Sequence, residues 1–498
     1  MFKKTLPPPL IILMLIIVAA AMATWLMPAG QYNSLSYENN AFVIHESGRE
    51  IHLPFEQKTL DSLHLLIPAE KFKNGDIRKP VSIPGTYHRL PQNGQGPVAV
   101  FEAPLKGLYD AAEIVFFVLF IGGFLNVFNS SDALEKSLIV LSYNMKGKEK
   151  WLIIILTFLF SFGGASYGMA EEALVFYPVM TPLFLAAGYD LLIPVAVIFA
   201  GTNLGVLSSF SNPFSTIIAS QIAGVNWSDG LTERILMFAL STLLTIIYIG
   251  RYAKKIKANP SLSLVHRVDG HVKSPYPVVA SESNQKEVLS HKTRLLLFIF
   301  LGTFLIMIFG VVFLNWWLLE MSALFLVSSI VTAFLLRMKE KVFINKFVQG
   351  AESLLGVSLI IGTARGVTVI LNNGYISDTI LYYSAGLVNH LSPALFIIIL
   401  MILYIIFTIF ISSSSGMAVV TMPIMGSLAL AAGVPGREIV NAYLYGMGIM
   451  GFITPTGLIL PSLALVNVSY KAWLKFIFPL IIMLFILCSV FLIIGIKS

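Results

Sequence analysis

The same pattern, an apolar segment followed by a polar interruption, occurs twice in this chain. The string "PVMTPLFLAAG" starts at Pro178, and "PIMGSLALAAG" starts at Pro423. Each is followed by an apolar run with a polar gap, "SFSNPFS" around Pro213 and "FITPTGL" around Pro455. Matched interruptions of hydrophobic segments in two halves of a chain indicate a solute-binding site near the middle of a membrane. This feature therefore constrains the fold, the mechanism and the site together.

Composition indicates a membrane location. Of the 498 residues, 56% are hydrophobic and 12% are charged, whereas soluble domains carry about 25% charged residues. Several apolar runs are longer than the roughly 20 residues that cross a bilayer. The first run, from Leu10 to Met27, is too long for the hydrophobic part of a signal peptide. The sequence therefore predicts an all-α polytopic membrane protein.

Basic residues predict the orientation. The net charge is +7, and Lys and Arg cluster in Arg251–Arg294 and in Arg337–Lys346. Such clusters are typical of cytoplasmic loops, and solvated loops explain them better than a nucleic-acid surface does. With Lys3 and Lys4 on the same side, we expect a multi-pass protein of the bacterial cytoplasmic (inner) membrane with a cytoplasmic N-terminus.

The sequence offers little for enzyme chemistry. Cys488 is the only cysteine, which excludes disulfides and cysteine-based metal or redox sites. All 8 histidines fall in predicted loops or at the membrane interface, which leaves no set of intramembrane metal ligands. There is no Gly-x-x-x-x-Gly-Lys-Ser/Thr phosphate loop and no His-Glu-x-x-His pair. We therefore expect no enzyme activity, no cofactor and no structural metal.

Charges and turn signals divide the chain into spans and connections. Two pairs of short apolar arms around a polar tip indicate re-entrant hairpins that enter from opposite sides. The predicted fold has nine full spans in two inverted repeats, with two opposed re-entrant hairpins, two discontinuous helices and a small extracytoplasmic loop subdomain. The predicted segments are the first span (1–28), the extracytoplasmic cap (29–106), repeat 1 (107–250, with hairpin 151–187 and broken helix 190–224), the basic cytoplasmic linker (251–294), connecting spans (295–349) and repeat 2 (350–498, with hairpin 394–432 and broken helix 437–468).

The two halves align in sequence at a nearly constant offset. A chance recurrence of strings such as "LAAG" explains a single match but not a collinear set of Gly, Pro and Asn positions. An odd number of predicted spans between the copies makes them inverted relative to each other. The matched pairs are Gly107/Gly350, Gly123/Gly366 and Asn129/Asn372 (350 − 107 = 243), Pro178/Pro423 (423 − 178 = 245) and Pro213/Pro455 (455 − 213 = 242).

Four polar interruptions at membrane depth form the predicted binding site. Unpaired backbone groups in lipid cost several kcal/mol each, so broken helices occur there only inside protein or around a wet cavity. Helix N-termini at such gaps favour anionic groups, while freed carbonyls suit a cation such as Na⁺. The alternative is that the hydroxyls only pack helices together. The candidates are Ser166 and Gly168 at the first tip, Ser211, Asn212 and Pro213 at the first break, Ser413, Ser414, Ser415 and Gly416 at the second tip, and Thr454, Pro455 and Thr456 at the second break.

Ionisable residues are also predicted to lie deep in the membrane. Glu171 and Glu172 follow the first tip, have no equivalent in the second copy, and are candidates to bind a cationic group or a coupling proton. The alternative is a shallow tip where both carboxylates reach water. Arg365 is predicted either to hold a substrate carboxylate or to pair with Glu352 or Asp378. Asparagines near the broken helices are further candidates to line the path: Asn203, Asn441 and Asn467.

Several strings resemble a known family of carriers. They are "WLMPAGQY" from Trp25, "IPGTYH" from Ile83, "IIGTARGVTVILNNG" from Ile360 and "FITPTGLILPSLALVNVSYKAWLKF" from Phe452. Together they resemble the C4-dicarboxylate anaerobic carrier-like family, and most closely its branch of basic amino-acid antiporters. The resemblance covers most of the chain and implies inverted repeats, opposed hairpins, a homodimer and an elevator-type motion.

The same resemblance places the hairpin tips at Ala165–Gly168 and Ser412–Gly416. The Ser-Asn-Thr tip signature of related sodium-coupled dicarboxylate carriers is absent, since "ASYG" and "SSSSG" stand in its place. This difference leaves the coupling ion open between Na⁺ and H⁺.

The sequence therefore predicts a secondary transporter of a small organic ion. Glu171 and Glu172 favour a cationic group and Arg365 favours a carboxylate, so an amino acid satisfies both. A C4-dicarboxylate or other carboxylate carried with Na⁺ or H⁺ is the second hypothesis. An ion channel and a non-transporting membrane sensor are further alternatives, although the two unlike tips offer no symmetric ring of carbonyls for a channel.

Overall fold

A computed structural model describes residues 9–46, 49–65, 67–73, 77, 80–133, 136–137, 140, 148–269, 274–276, 289–314, 316, 318–388, 391–411, 413–431 and 433–497. Most of these residues are helical, and the strands lie between positions 30 and 89. Ser412 of the predicted second tip, linker positions 270–273 and 277–288, and Lys3 and Lys4 lie outside the described residues.

The helices follow the predicted order of spans and arms. A π-helical turn, Ala196–Ala200, interrupts the helix Leu192–Leu207. A second π-helical turn, Pro213–Ile217, leads into the helix Ile218–Ile222. Short 3₁₀ helices occur at Glu171–Phe176 and Pro260–Leu262. The α-helices are α1 Pro9–Leu26, α2 Gln57–Ser62, α3 Glu70–Lys73, α4 Pro97–Asp110, α5 Ala112–Asn129, α6 Lys150–Ser166, α7 Tyr177–Ala186, α8 Leu192–Leu207, α9 Ile218–Ile222, α10 Leu231–Ala258, α11 Leu264–Asp269, α12 His291–Leu314, α13 Leu318–Leu335, α14 Glu340–Asn373, α15 Ser377–Val388, α16 Pro393–Phe410, α17 Ser414–Ala431, α18 Gly436–Gly451, α19 Ile459–Val466 and α20 Tyr470–Lys497.

Seven helices in the described part of the chain are long and apolar enough to cross a membrane: α1, α5, α10, α13, α14, α16 and α20. Large apolar side chains on the outside of the bundle agree with this environment. Phe298 of α12 is 74% exposed and Phe334 of α13 is 81% exposed, which is unfavourable in water but not in lipid. The chain is therefore a multi-pass helical membrane protein. The third and eighth predicted spans are not continuous helices, because both are broken.

The predicted loop subdomain folds as a β-rich cap of residues 27–96. It ends earlier than the predicted boundary at residue 106, because Pro97 begins α4, where its missing N–H costs no hydrogen bond. One antiparallel sheet has the order β4-β3-β2-β5, with Ser34 opposite His45, and β1 pairs with β6. The strands are β1 Gly30–Gln31, β2 Ser34–Glu38, β3 Ala41–Glu46, β4 Arg49–Leu53, β5 Val81–Ser82 and β6 His88–Arg89.

The cap is fixed to the helices at one end of the molecule, here named the cap end. The backbone N–H of Tyr32 donates to Asp378 Oδ2 of α15 at 3.0 Å. The rings of Tyr87 and Tyr382 stack with centroids 4.0 Å apart, and Tyr87 also hydrogen-bonds Thr379. In addition, β5 packs against α17. The cap therefore contacts the second arm of the predicted second hairpin.

The consecutive helices α4 and α5 run antiparallel to the long helix α14. Together they form the centre of a scaffold bundle that also contains α1, α12 and α13. Glycines allow their backbones to touch. A Cβ atom on Gly107 would lie 2.2 Å from the carbonyl oxygen of Gly362, and one on Gly350 would lie 2.2 Å from that of Gly122. Close crossings through small residues are typical of packing between membrane helices.

A second group of helices, α6–α10 and α16–α20, forms a core bundle. The end remote from the cap is named the linker end. There the first part of the predicted basic linker (251–294) is folded against the core bundle. The Asp190 carboxylate accepts hydrogen bonds from Tyr252 and Ser263, each at 2.7 Å. The backbone N–H of Ser469 donates to Asp269 Oδ2 at 3.0 Å. The first part of the linker, including α11, is therefore folded and connects the segments around Asp190 and Ser469.

Candidate functional site

The first tip, residues 163–170, is a tight turn at the end of α6. The backbone N–H groups of Tyr167, Gly168 and Met169 all donate to the carbonyl oxygen of Gly163, at 3.3, 3.1 and 3.1 Å. Gly168 has φ +82°, a left-handed conformation that glycine adopts without steric cost. The "GGASYG" string therefore terminates the helix and reverses the chain.

The first tip contacts the first break, which is the non-helical segment 208–212 between α8 and the π-helical turn. The backbone N–H groups of Phe210 and Ser211 both donate to the carbonyl oxygen of Ala165 at 3.2 Å. The Ser211 hydroxyl donates to the carbonyl oxygen of Ser166 at 3.0 Å. Asn212, which is 3% exposed, donates through Nδ2 to the carbonyl oxygen of Gly164 at 3.3 Å. The structure thus brings the predicted residues of the first tip and first break together.

The string Gly164–Gly168 also matches the Gly-x-Ser-x-Gly pattern that is found at the nucleophile of hydrolases. That nucleophile lies on a turn between a strand and a helix and needs a histidine base. Here the string ends a helix, and the Ser166 hydroxyl donates to the carbonyl oxygen of Phe162 at 2.6 Å. This local geometry gives Ser166 no activated hydroxyl.

The two carboxylates that follow the first tip have different environments. Glu172 is 8% exposed, and its Oε2 accepts a hydrogen bond from the backbone N–H of Ala170 at 2.9 Å. Glu171 is half-buried. Both begin the 3₁₀ helix Glu171–Phe176, where negative charge is favoured by the helix N-terminus. The shallow-tip alternative, in which both carboxylates reach water, does not fit the burial of Glu172.

The second tip, residues 411–416, is held by hydroxyl groups. Tyr443 donates to the carbonyl oxygen of Ser414 at 2.8 Å, and Thr456 donates to that of Ile409 at 3.2 Å. Within the tip, the backbone N–H of Gly416 donates to the Ser413 hydroxyl at 3.2 Å. Ser413, Ser414 and Ser415 are half-buried, and Gly416 is buried. Ser414 and Ser415 therefore begin α17, and Ser413 precedes it.

The second break is the non-helical segment 452–458 between α18 and α19. The hydroxyls of Thr454 and Thr456 are 2.8 Å apart and are 2% and 6% exposed, while Pro455 is half-buried between them. Thr456 connects this break to α16, as described above. The indole N–H of Trp473 donates to the carbonyl oxygen of Phe452 at 2.9 Å. The second tip and second break are thus also in contact.

Contacts between the two halves bring the four segments into one bundle. The first break's π-helical turn and α9 pack against α17, which begins at the second tip, and α7 packs against α19. Asn203 of α8 donates through Nδ2 to the carbonyl oxygen of Gly448 at 2.8 Å. The predicted residue Asn203 therefore joins the two broken helices directly.

Arg365 lies in α14, one turn before Thr368, whose hydroxyl donates to the carbonyl oxygen of Phe410 at the base of the second tip at 3.1 Å. It is half-buried. The predicted pairing with Glu352 or Asp378 is wrong, since neither carboxylate is within ion-pair distance of Arg365, and Asp378 is engaged by the cap instead. Thus the alternative role, contact with a substrate carboxylate, stays open.

A buried charged cluster near the starts of α10 and α18 was missed by sequence reasoning. Arg234 is fully buried, and its Nε donates to Asn441 Oδ1 at 2.9 Å. Asn441 Nδ2 in turn donates to Glu438 at 3.3 Å. The only signal was an arginine opening a long apolar run. Asn441 therefore serves this cluster rather than lining a path, and Asn467 is an exposed left-handed residue at the end of α19.

In the described part of the chain, no three His, Cys, Asp or Glu side chains come together as a group that holds a metal ion. The oxygens at the tips and breaks are instead carbonyls, hydroxyls and one amide. Such groups bind polar solutes and weakly held cations.

Comparison with known proteins identifies relatives of the whole chain. A sequence model of the C4-dicarboxylate anaerobic carrier family matches residues 6–497. A Haemophilus influenzae protein of uncharacterised function is 36% identical over 477 residues, covering 95% of this chain and 94% of its own length. The Escherichia coli K12 protein named "Putative basic amino acid antiporter YfcC" is 27% identical over 492 residues, covering 94% and 92%.

Two solved structures are similar at a lower level. The Alcanivorax borkumensis YdaH transporter has a TM-score of 0.40 and 14% identity, covering 99% of this chain and 98% of its own. Neisseria gonorrhoeae MtrF, from a class of antimetabolite efflux pumps, has a TM-score of 0.38 and 16% identity, covering 99% and 96%.

Proposed function

The chain belongs to the C4-dicarboxylate anaerobic carrier family of membrane transporters, and on this premise we propose that it is an elevator-type secondary transporter of amino acids. The observation that carries this proposal is the meeting of two tips and two breaks in one bundle of helices. Non-helical backbone of this kind is tolerated at membrane depth where it lines a binding cavity.

An inverted repeat is supported by contacts within the scaffold bundle. At the offset of 243, a contact of Gly366 with Pro104 corresponds to one of Gly123 with Phe347 (366 − 243 = 123; 104 + 243 = 347). Both contacts occur, with an added Cβ atom 3.1 Å from Pro104 in the first and 2.6 Å from Phe347 in the second. Since α4–α5 and α14 are antiparallel, exchanging the two copies requires a rotation about an axis in the membrane plane.

The division into two bundles supports an elevator motion. In this proposal, α6–α10 and α16–α20 carry the solute together with the two tips, and the scaffold bundle stays fixed. The hairpins Lys150–Ala186 and Pro393–Ala431 are re-entrant and open toward the linker end and the cap end, respectively. The basic linker sets the linker end in the cytoplasm by the positive-inside rule, which leaves the cap outside. A homodimer stays a prediction from the family resemblance.

Two charged residues support an amino acid as the substrate. Glu172 is a buried carboxylate in the core bundle that accepts from the backbone N–H of Ala170. Because a carboxylate has about four acceptor positions, it retains capacity for an ammonium or guanidinium group. Arg365 is half-buried, lies one helical turn before Thr368, which bonds the last residue of α16, and makes no ion pair with a described residue, so it is available to a carboxylate. The name of the relative YfcC agrees with a basic amino acid.

A C4-dicarboxylate is the second candidate, because the family carries that name and Arg365 suits either solute. The decisive experiment is uptake and exchange of labelled arginine, ornithine and succinate by proteoliposomes. We expect movement of the amino acids. Replacing Arg365 with Lys keeps the charge but loses the planar fork, so it is expected to raise KM with little change in kcat. Movement of succinate without any movement of amino acids would reverse the ranking.

A further inference from the structure

We infer that the Asn212 side chain holds the first tip against the first break and thereby replaces a coupling cation, so that this half works without Na⁺. In transporters with broken helices, the unwound backbone carbonyls at such a place coordinate the coupling ion. The inference rests on the proposed transport function and specifies its coupling. Asn212 is a positioning residue, since it acts on the tip backbone rather than on the solute.

Four consecutive carbonyl oxygens of the first tip, from Gly163 to Ser166, are already occupied by hydrogen-bond donors. A carbonyl oxygen has two lone pairs, and unwound backbone carbonyls are what coordinates a cation at a broken helix. The oxygen of Gly163 accepts three backbone N–H groups, and that of Ala165 accepts two. The oxygens of Gly164 and Ser166 accept from Asn212 and Ser211. A cation would have to compete with these donors for the four carbonyls.

The carboxamide of Asn212 is used at both ends. Its Nδ2 donates to the Gly164 carbonyl on the tip, and its Oδ1 accepts from the backbone N–H of Phe214 at 2.8 Å on the far side of the break. A Cβ atom on Gly168 would lie 2.5 Å from Oδ1, so the tip packs closely around the amide. The amide N–H therefore supplies the partial positive charge that a cation would bring to these carbonyls.

The second half lacks this arrangement. At the offset of the two prolines, Asn212 corresponds to Thr454 (212 + 242 = 454), and Thr454 bonds Thr456 within the break rather than crossing to the tip. The contacts across the second tip are made by the Thr456 and Tyr443 hydroxyls. A hydroxyl group can rotate and present its oxygen lone pairs, whereas the NH₂ group of an amide cannot accept. The brace is therefore a feature of the first half alone.

The test measures Na⁺ dependence of purified full-length protein with no substrate present, by thermal unfolding in sodium chloride and in choline chloride at equal ionic strength. We expect the wild-type melting temperature to be the same in both salts. At a pH where its carboxylate is ionised, the N212D variant places a negative charge against the Gly164 carbonyl, and a bound cation relieves that repulsion. Its melting temperature should rise in Na⁺, and its uptake of arginine should be about tenfold higher in Na⁺ than in choline, the ratio for one charge-assisted contact.

The matched control is S166A, which removes the neutral hydrogen bond to Phe162 from the same tip but leaves every donor to the Gly163–Ser166 carbonyls in place, and it is expected to show no response to Na⁺. If N212D does not fold, the N212S variant serves as the test in its place. It also leaves the Gly164 carbonyl without its amide donor, so its melting temperature should be higher in Na⁺ than in choline. A Na⁺-stabilised wild type, or folded Asn212 variants that ignore Na⁺, would overturn the inference. Because the melting temperatures are measured without substrate, they stand apart from a failure of wild-type transport.

Discussion

The two tips differ in what closes them. The first tip is closed by backbone N–H groups, the Asn212 amide and the Ser211 hydroxyl, and its turn contains Gly168 in a left-handed conformation that other residues rarely adopt. The second tip is closed by the hydroxyls of Tyr443 and Thr456. A neutral hydrogen bond contributes about 1 kcal/mol whatever its donor, so the first tip, which has more of them among the described residues, is expected to open less readily than the second. The difference teaches that similar sequences in two halves can build one rigid tip and one that opens more easily.

The ends of the hairpins differ as well. The core-bundle helices near the first hairpin's open end are clasped by the folded part of the linker, through Asp190 and its partners. The second hairpin is touched by the cap through β5. Carboxylates follow the first tip only. Each of these differences can be tested by changing one half and using the other half, or a neighbour, as its control.

The largest effect is expected from the carboxylate that only the first hairpin has. Glu172→Gln keeps an acceptor for the Ala170 N–H but removes a negative charge buried in the core bundle. We expect uptake to fall more than about tenfold, or its pH dependence to change, because ionisable residues at membrane depth are costly and therefore functional. Transport in proteoliposomes across pH is the measurement. Glu171→Gln, at a half-buried neighbour, is the control with a smaller effect, and unchanged kinetics of Glu172→Gln would remove Glu172 from the site.

Next in size is a comparison of two glycines. Gly168→Ala forces a side chain into a left-handed conformation, which costs about 1–2 kcal/mol, and brings a Cβ atom to 2.5 Å from Asn212 Oδ1. Gly426→Ala, in α17 of the second hairpin, meets its nearest atom at an ordinary 3.9 Å and gains up to ~1 kcal/mol of helix propensity. Thermal unfolding should therefore move in opposite directions. Equal shifts would mean that the first tip is no more rigid than the second arm.

A smaller effect is expected at the second tip. Tyr443→Phe removes the hydrogen bond to the Ser414 carbonyl, and Thr456→Val removes the one to Ile409, each at a cost of about 1 kcal/mol. Both should increase hydrogen exchange in Ser413–Gly416 while leaving exchange in the first tip unchanged. Ser211→Ala is the equivalent change in the first half. If it loosens its own tip as much, the contrast between the tips fails.

The smallest effect concerns the cap beside the second hairpin. Burial raises the pKa of Asp378 to about 6, above the ~3.9 of an unperturbed Asp. A raised pKa means that its contribution to stability is fully present below about pH 4 and is lost as pH rises through about 6. Asp378→Asn keeps an acceptor for the Tyr32 N–H and should abolish this pH dependence, as measured by protease protection of the cap.

Asp61→Asn, at an exposed cap residue, is the control and should preserve the wild-type profile. An unaltered profile in Asp378→Asn would show that Asp378 does not control how the cap docks.

Much of the architecture could be predicted from local sequence. Apolar run lengths indicated the spans, and "SFSNPFS" and "FITPTGL" indicated segments where the helices are in fact interrupted. The contact of Ser211 and Asn212 with the first tip followed from the same reasoning, because unpaired backbone at membrane depth must find partners. The hydrogen bond between Arg234 and Asn441 was not predictable, since it joins two helices whose residues lie 207 positions apart in the sequence.

The sequence by itself determined that this chain is a multi-pass helical membrane protein of a carrier family, because hydropathy and helix-breaking residues act locally. Only the tertiary structure decided which donors close each tip, that Arg234 is buried against Asn441, and that the cap rests on the second hairpin. These outcomes depend on side chains from helices far apart in the chain, and several nearly equal hydrogen-bond partners compete for each carbonyl until packing selects one.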